Sequence, residues 1–209
     1  GVGLSRRGLD WHKWNATMTT VASLLHAHGK KLALCFQSGC GDDQPEWRGA
    51  VHPPCATLFR NMPWVDLFTD MGTYPLTGPP LTAADLALQE CPPPANKLTR
   101  WCGLEGQVLN HLRPLPGLAP PEFGMAPGRY SVGLWPRSCI NGTVAGQWTQ
   151  ETLHEFLVFL DSVGVRSLDV WCSGTGDQGG PAMPCPAIAG LGACTWFTAE
   201  LAWWKANGR

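Results

Sequence analysis

Four short segments of the chain concentrate apolar residues too densely for burial on one side only. Residues 31–37 read KLALCFQ and residues 166–172 read RSLDVWC, and residues 65–71 and 129–135 are of the same kind. Strands covered on both faces have this composition, so the four are expected to lie parallel in one buried sheet. Between them, apolar positions recur at helical spacing. Trp14, Met18, Val21 and Leu25 fall on one stripe of a helix ahead of the first strand, with Asp10 as its N-cap and Gly29 just past its end. Leu153, Phe156, Leu157 and Leu160 repeat the pattern ahead of the last strand. There Thr149 can cap the helix, Glu151 suits its first turn and Gly164 stops it. A third helix, rich in Trp and Leu, is expected from about residue 195 to 207, and weaker ones over 54–60, 83–90 and 97–112.

Helix, short Gly turn and strand, repeated, is the order of elements in an α/β fold. The first and last strand-to-strand spacings match one unit each of a (β/α)8 barrel, which spends about 30 residues per unit. The middle spacing is longer because of a Pro-rich insertion over residues 76–128, expected as a surface excursion above the barrel. The fold expected is therefore α/β, the C-terminal part (about four β/α units) of a TIM-type barrel, with residues 1–209 forming a single partial barrel domain. A dinucleotide-binding sheet would need G-x-G-x-x-G between a strand and a helix. Gly174 and Gly176 follow the last strand, but Gly179 and Gly180 fall out of that register.

Composition narrows the function classes. Apolar residues make up 44% of the chain and charged residues 15%, enough for a real core. The formal charge of −1 argues against nucleic acid, whose phosphates demand a basic face. No apolar run reaches the length of a membrane span. The nine cysteines include no C-x-x-C pair, so a zinc site is not expected, and most sit among Gly and Pro. With the acceptor sequons at Asn15 and Asn141, they point to disulfide-bearing loops and a secreted or extracytoplasmic location. Pairs near in sequence are Cys40 with Cys55, Cys91 with Cys102, and Cys185 with Cys194. Cys35, inside an apolar strand, is the candidate for the odd thiol. The opening residues, Gly1 to Leu4, read as mid-protein sequence, so a mature form or a truncated record is expected.

In barrels the chemistry sits at the C-terminal ends of the strands. Those ends carry Gln37 to Asp43, Asp70 to Tyr74, Trp135 to Arg137 and Asp169 to Asp177. Carboxylates beside flat aromatic faces suit carbohydrate: two carboxyl groups can do acid and base work on a glycosidic bond, and an indole packs against a sugar ring. Asp70 and Asp169 are the carboxylate candidates, while Gln37, Trp135, Arg137 and Trp171 are candidates for holding substrate. Trp14, Trp196 and Trp203 read instead as helix packing. The histidines offer no metal-ligand spacing, no G-x-S-x-G elbow occurs, and no cofactor is implied.

The strand-end segments resemble the second half of chitinase-like glycoside hydrolases of family 18. Residues 65–75, VDLFTDMGTYP, are similar to that family's sixth strand with its Met-x-Tyr-Asp ending, here with one extra residue and Pro75 in place of the Asp. Residues 131–136, SVGLWP, are similar to its seventh, and residues 164–171, GVRSLDVW, to its eighth. The resemblance implies that Tyr74 steadies the substrate's N-acetyl oxygen and that Trp171 forms the floor beneath the reacting sugar. It also implies a catalytic Glu closing an acidic motif on the fourth strand. No Asp-x-x-Asp-x-Asp-x-Glu occurs in these 209 residues, so that acid is expected upstream or lost. The expected function is a glycoside-hydrolase-like barrel acting on, or descended from enzymes acting on, polysaccharide, N-acetylglucosamine-containing polymers among them. The alternatives are a non-catalytic carbohydrate-binding or structural glycoprotein on the same scaffold, and an unrelated secreted α/β enzyme in which Asp70 and Asp169 act themselves.

Overall fold

A computed structural model describes residues 11–36, 61–70, 73, 80–90, 101–112, 125–134, 148–170 and 195–207. In chain order these form α1 (Trp11–Ala27), β1 (Ala33–Phe36), β2 (Leu67–Asp70), α2 (Ala83–Leu86), β3 (Gln89–Glu90), β4 (Trp101–Cys102) and α3 (Leu104–Leu112). There follow a 3-10 turn (Pro127–Arg129), β5 (Tyr130–Leu134), α4 (Gln150–Ser162), β6 (Ser167–Val170) and α5 (Thr195–Asn207). The chain is thus a mixed α/β protein, and all four expected strands are present. They make one parallel sheet in the order β1-β2-β5-β6. The short pair β3 and β4 forms a separate antiparallel ladder that the apolar pattern did not announce.

The helix ends follow local chemistry. Thr149 accepts a hydrogen bond from the Thr152 amide at the start of α4, satisfying one of the donors a helix N-terminus leaves free. Gly29 (φ 65°) and Gly164 (φ 81°) both adopt the left-handed conformation just after α1 and α4, where a side chain would be strained. On α1 the buried line differs from the expected one by a single position: Ala22 is 1% exposed, whereas Val21 is 37% exposed. Spacings of three and four both fall on the same helical stripe, and the smaller residue allows the closer approach. The proposed cap Asp10 and the weak helix over 54–60 lie outside the described residues.

Period-two alternation divides the sheet into two unlike faces. Leu34, Phe68, Asp70, Tyr130, Val132, Leu134, Leu168 and Val170 share one face by register. All of these except Asp70 belong to, or pack against, one core cluster with Leu153, Phe156, Leu157 and Leu160 of α4 and Leu104 and Val108 of α3. The other face carries Ala33, Cys35, Leu67, Thr69, Ser131, Gly133, Ser167 and Asp169, which apart from Leu67 are small or polar. Right-handed crossovers between parallel strands place connecting helices on one side of a sheet. The stacking of His111 of α3 on Tyr130 (centroids 5.8 Å apart) identifies that side as the large-residue face.

Two departures from the sequence reading concern residues 76–128. Part of this stretch is core and not excursion, since α3 buries Leu104, Val108, Leu109, Asn110 and His111. The helix expected over 83–90 is one turn long, because Ala87 leaves helical geometry (ψ 137°) and the chain enters β3. Elsewhere, Trp11, Trp14 and Trp64 cluster at 5.3 and 5.6 Å, and the Trp64 indole N–H donates to Asn15 Oδ1 at 2.8 Å. The Asn15 sequon is therefore mid-helix, with its amide oxygen already engaged.

Polar fasteners gather at the N-terminal edge of the sheet. Asp66 Oδ2 accepts from the Leu32 amide (2.7 Å), ahead of β1, and meets His26 Nε2 (2.7 Å) near the end of α1. Those hydrogen bonds, the backbone one foremost, hold its carboxyl below the ordinary range. Arg129 donates to the carbonyls of Met62 (3.0 Å) and Val65 (2.8 Å), and its guanidinium lies over the Phe68 ring. On the far side, α5 docks on α4 through Glu200, which accepts from Gln150 Nε2 (2.9 Å) and His154 Nδ1 (2.8 Å). Burial pushes the Glu200 carboxyl up, but those two bonds and the His154 charge outweigh it, and the net displacement is downward.

Candidate functional site

Because the strands are parallel and consecutive, their C-terminal ends share one rim. Phe36 pairs with Asp70, Asp70 with Val132, and Leu134 with Val170, which sets the level of that rim. Thr73, just past β2, ties it across to β5: its hydroxyl lies 3.0 Å from the Asp70 carbonyl and 2.7 Å from that of Gly133.

Of the seven residues singled out in the sequence, Asp70 and Asp169 are described. Gln37, Tyr74, Trp135, Arg137 and Trp171 lie outside the described residues. The two carboxylates are not brought together. Asp70 pairs with Val132, which pairs with Leu168, so its side chain is on the face of Leu168. Asp169 is the next residue and projects from the opposite face, beside Gly133. Carboxyl groups that share a glycosidic bond stand about 5–9.5 Å apart on a common cleft, and residues on opposite faces of a sheet do not share one.

Asp70 is fully buried and satisfied from within the protein. The Tyr130 hydroxyl donates to its Oδ2 at 2.7 Å, and His111 Nδ1 approaches the same oxygen at 3.4 Å. That nitrogen also contacts the Gln107 carbonyl at 2.8 Å, and since a carbonyl can only accept, Nδ1 carries the proton. Tyr130 is itself entirely buried. Burial first, then the Asp70 charge and the hydrogen bond to it, push the phenol well above its ordinary pKa. This Asp–Tyr–His group pins α3 to the sheet. Its signal in the sequence was limited to an Asp at the end of an apolar run, and neither Tyr130 nor His111 stood out.

Asp169 has a different setting. It is half-buried, on the small-residue face, at the rim end of an outer strand. Cys35 sits on the same face of the other outer strand, and its thiol is free, as the sequence suggested, though exposed and not packed in the core. Burial, and next the Asp169 charge, hold that thiol above its ordinary pKa.

No family model matches the chain, and neither the curated proteins nor the solved structures contain a match. The site must therefore be read from its own chemistry. Among the described residues, no group of three or more His, Cys, Asp or Glu could hold a metal ion, and no helix is long and apolar enough to cross a membrane. A half-buried carboxylate, a row of hydroxyls and a four-stranded parallel sheet remain. Such a surface can bind a polar, uncharged ligand and supply one acid or base.

Proposed function

We propose that this chain forms a wall of a TIM-type (β/α) barrel of the glycoside-hydrolase kind, handling polysaccharide over the C-terminal ends of its strands. The observation that carries the reading is the strand order. Four parallel strands follow one another across the sheet in the order of the chain, as barrel strands do, whereas doubly wound sheets reverse direction at a switch point. The small polar face then corresponds to the barrel interior and Asp169 to an inward carboxylate near its mouth. Gln37, Tyr74, Trp135, Arg137 and Trp171 follow the same strand ends in sequence, which suits a sugar site with aromatic platforms. The resemblance to family 18 makes polymers containing N-acetylglucosamine the first substrates to try. Disulfides among the loop cysteines would fit a protein that works outside the reducing cytoplasm.

A second reading, retention of glycan without cleavage, is favoured by one observation. Asp70 is committed to Tyr130 and His111, so Asp169 is the lone carboxylate on the inner face among the described residues. One experiment separates the two. The protein is incubated with chitin oligomers and with soluble cellulose and mannan fragments, and both new reducing ends and co-sedimentation with insoluble polymer are measured. Cleavage abolished by Asp169→Asn supports the enzyme, and retention without new ends supports the binder. Neither cleavage nor retention with any polymer removes the carbohydrate reading.

A further inference from the structure

The described residues leave five large apolar side chains exposed, and two of them, Val158 and Trp203, stand on the docked helices α4 and α5. Phe197, Glu200 and Trp204 form the buried stripe of α5, at spacings of three and four. Trp203 falls one position off that stripe and is 37% exposed, so the packing expected of it from the sequence is done by Trp204. Side chains on a helix lean over the preceding turn. For Trp203 that turn carries Ala199, which is exposed and too small to shield an indole, and the following turn carries exposed Ala206.

The exposed ring is nevertheless held in place. The His154 ring of α4 meets the indole with centroids 4.4 Å apart and planes tilted by 47°. His154 Nδ1 lies 2.8 Å from one oxygen of Glu200, whose other oxygen accepts from Gln150 Nε2 at 2.9 Å. A carboxylate accepts, so Nδ1 carries the proton, and Nε2 of this half-exposed ring is left to the solvent side. Gln150, His154 and Val158 follow one another at i, i+4 and i+8 along a single line of α4, and Val158 is 44% exposed. The surface thus offers a fixed aromatic plane bordered by a hydrogen-bonding nitrogen and a small apolar shoulder.

Its occupant follows from that chemistry. Glu151 and Glu155 are exposed on α4, which has no Lys or Arg, so an anionic lipid surface or a nucleic acid is repelled. Two apolar side chains are too few for a stable protein interface, which covers about 800 Å² on each partner. A sugar ring is neutral and needs one flat aromatic face with polar groups at its border.

We infer that Trp203, with His154 beside it, is a platform for a neutral polysaccharide on the outer helix layer. This rests on the carbohydrate reading above and adds a second place of attachment, separate from the strand ends. The intact protein is sedimented with insoluble chitin and with cellulose, and Kd and Tm are measured for the parent, Trp203→Ala and Trp203→Tyr. Reducing ends released from chitotetraose and cellotetraose by the parent are followed in parallel. The parent should bind at least one polymer, and Trp203→Ala should weaken that binding roughly tenfold. Trp203→Tyr keeps a flat ring and should retain most of it. Neither variant should lower Tm by more than about 2 °C, since the ring is exposed. A Trp203→Ala variant that binds as tightly as the parent would overturn the inference and leave the carbohydrate reading standing. A loss of binding accompanied by the larger Tm drop of a core residue would show a packing role and overturn it too. So would self-association of the parent that Trp203→Ala abolishes, which would assign the face to a second copy of the chain. A parent that sediments with neither polymer overturns the inference, and release of reducing ends by that same parent would still uphold the carbohydrate reading.

Discussion

Replacing Tyr130 by Phe removes one oxygen and leaves the ring in place, so it isolates the bond between that hydroxyl and Asp70. The ring keeps its stacking on His111 and its full burial, so no cavity term of consequence arises. What is lost is a 2.7 Å hydrogen bond to a carboxylate with no access to solvent. Bonds to charged acceptors contribute about 1.5–3 kcal/mol, so a loss of about 2 kcal/mol is expected. For a chain of this size that lowers Tm by roughly 4–8 °C. Urea unfolding followed by far-UV circular dichroism measures it, with an unchanged m-value as the check that the same surface is exposed. Repeating the substitution in an Asp70→Asn background completes a cycle. There the penalty should fall to about 1 kcal/mol, the worth of a bond between neutral partners. A Tyr130→Phe variant within about 0.5 kcal/mol of the parent, a margin normal for inconsequential positions, would refute the claim that this group pins α3 to the sheet.

Three more outcomes follow from the same structure. Of the two tyrosines in the chain, Tyr130 should resist ionisation well past pH 10. Absorbance at 295 nm should then show a late phase coinciding with alkaline unfolding, and two tyrosines ionising together near pH 10 in the folded protein would contradict it. Since its folded pKa is raised, its contribution is complete below pH 10 and fades as pH climbs beyond that value. Asp66 behaves oppositely: its folded pKa is lowered, so its contribution is present above the ordinary 3.8 and is lost as pH falls below it. Asp66→Asn should flatten the acid limb of a Tm-against-pH curve, and an unaltered limb would assign acid loss to other carboxylates. Thr149→Ala should cost about 1 kcal/mol through loss of the α4 cap, read by the same urea titration, whereas Thr149→Ser should cost little.

The strands, the caps at Thr149, Gly29 and Gly164, and the helix over residues 195–207 could be read from the sequence because each depends on local chemistry. Burial on both faces demands apolar runs, a helix start demands an acceptor, and a left-handed turn demands glycine. What could not be read depends on pairing. Whether Asp70 and Asp169 share a face is decided by the register between β2, β5 and β6, and a shift of one residue would reverse the answer. The Asp70–Tyr130–His111 group joins residues from three elements, and none of the three sits in a local pattern that names the others. The two-residue strands β3 and β4 are too short for periodicity to show. On α1, Ala22 and Val21 are both acceptable to the helical stripe, and only the partner surface chooses between them.

The bonds of Asp66 and Arg129, at the edge where the strands begin, anchor the chain without reference to whatever the opposite edge carries. Among the described residues, Thr73 and the Asp70 carboxylate are their counterparts at that opposite edge. Exchanging the segments that follow Phe36, Leu134 and Val170 should leave the bonds of Asp66 and Arg129 undisturbed.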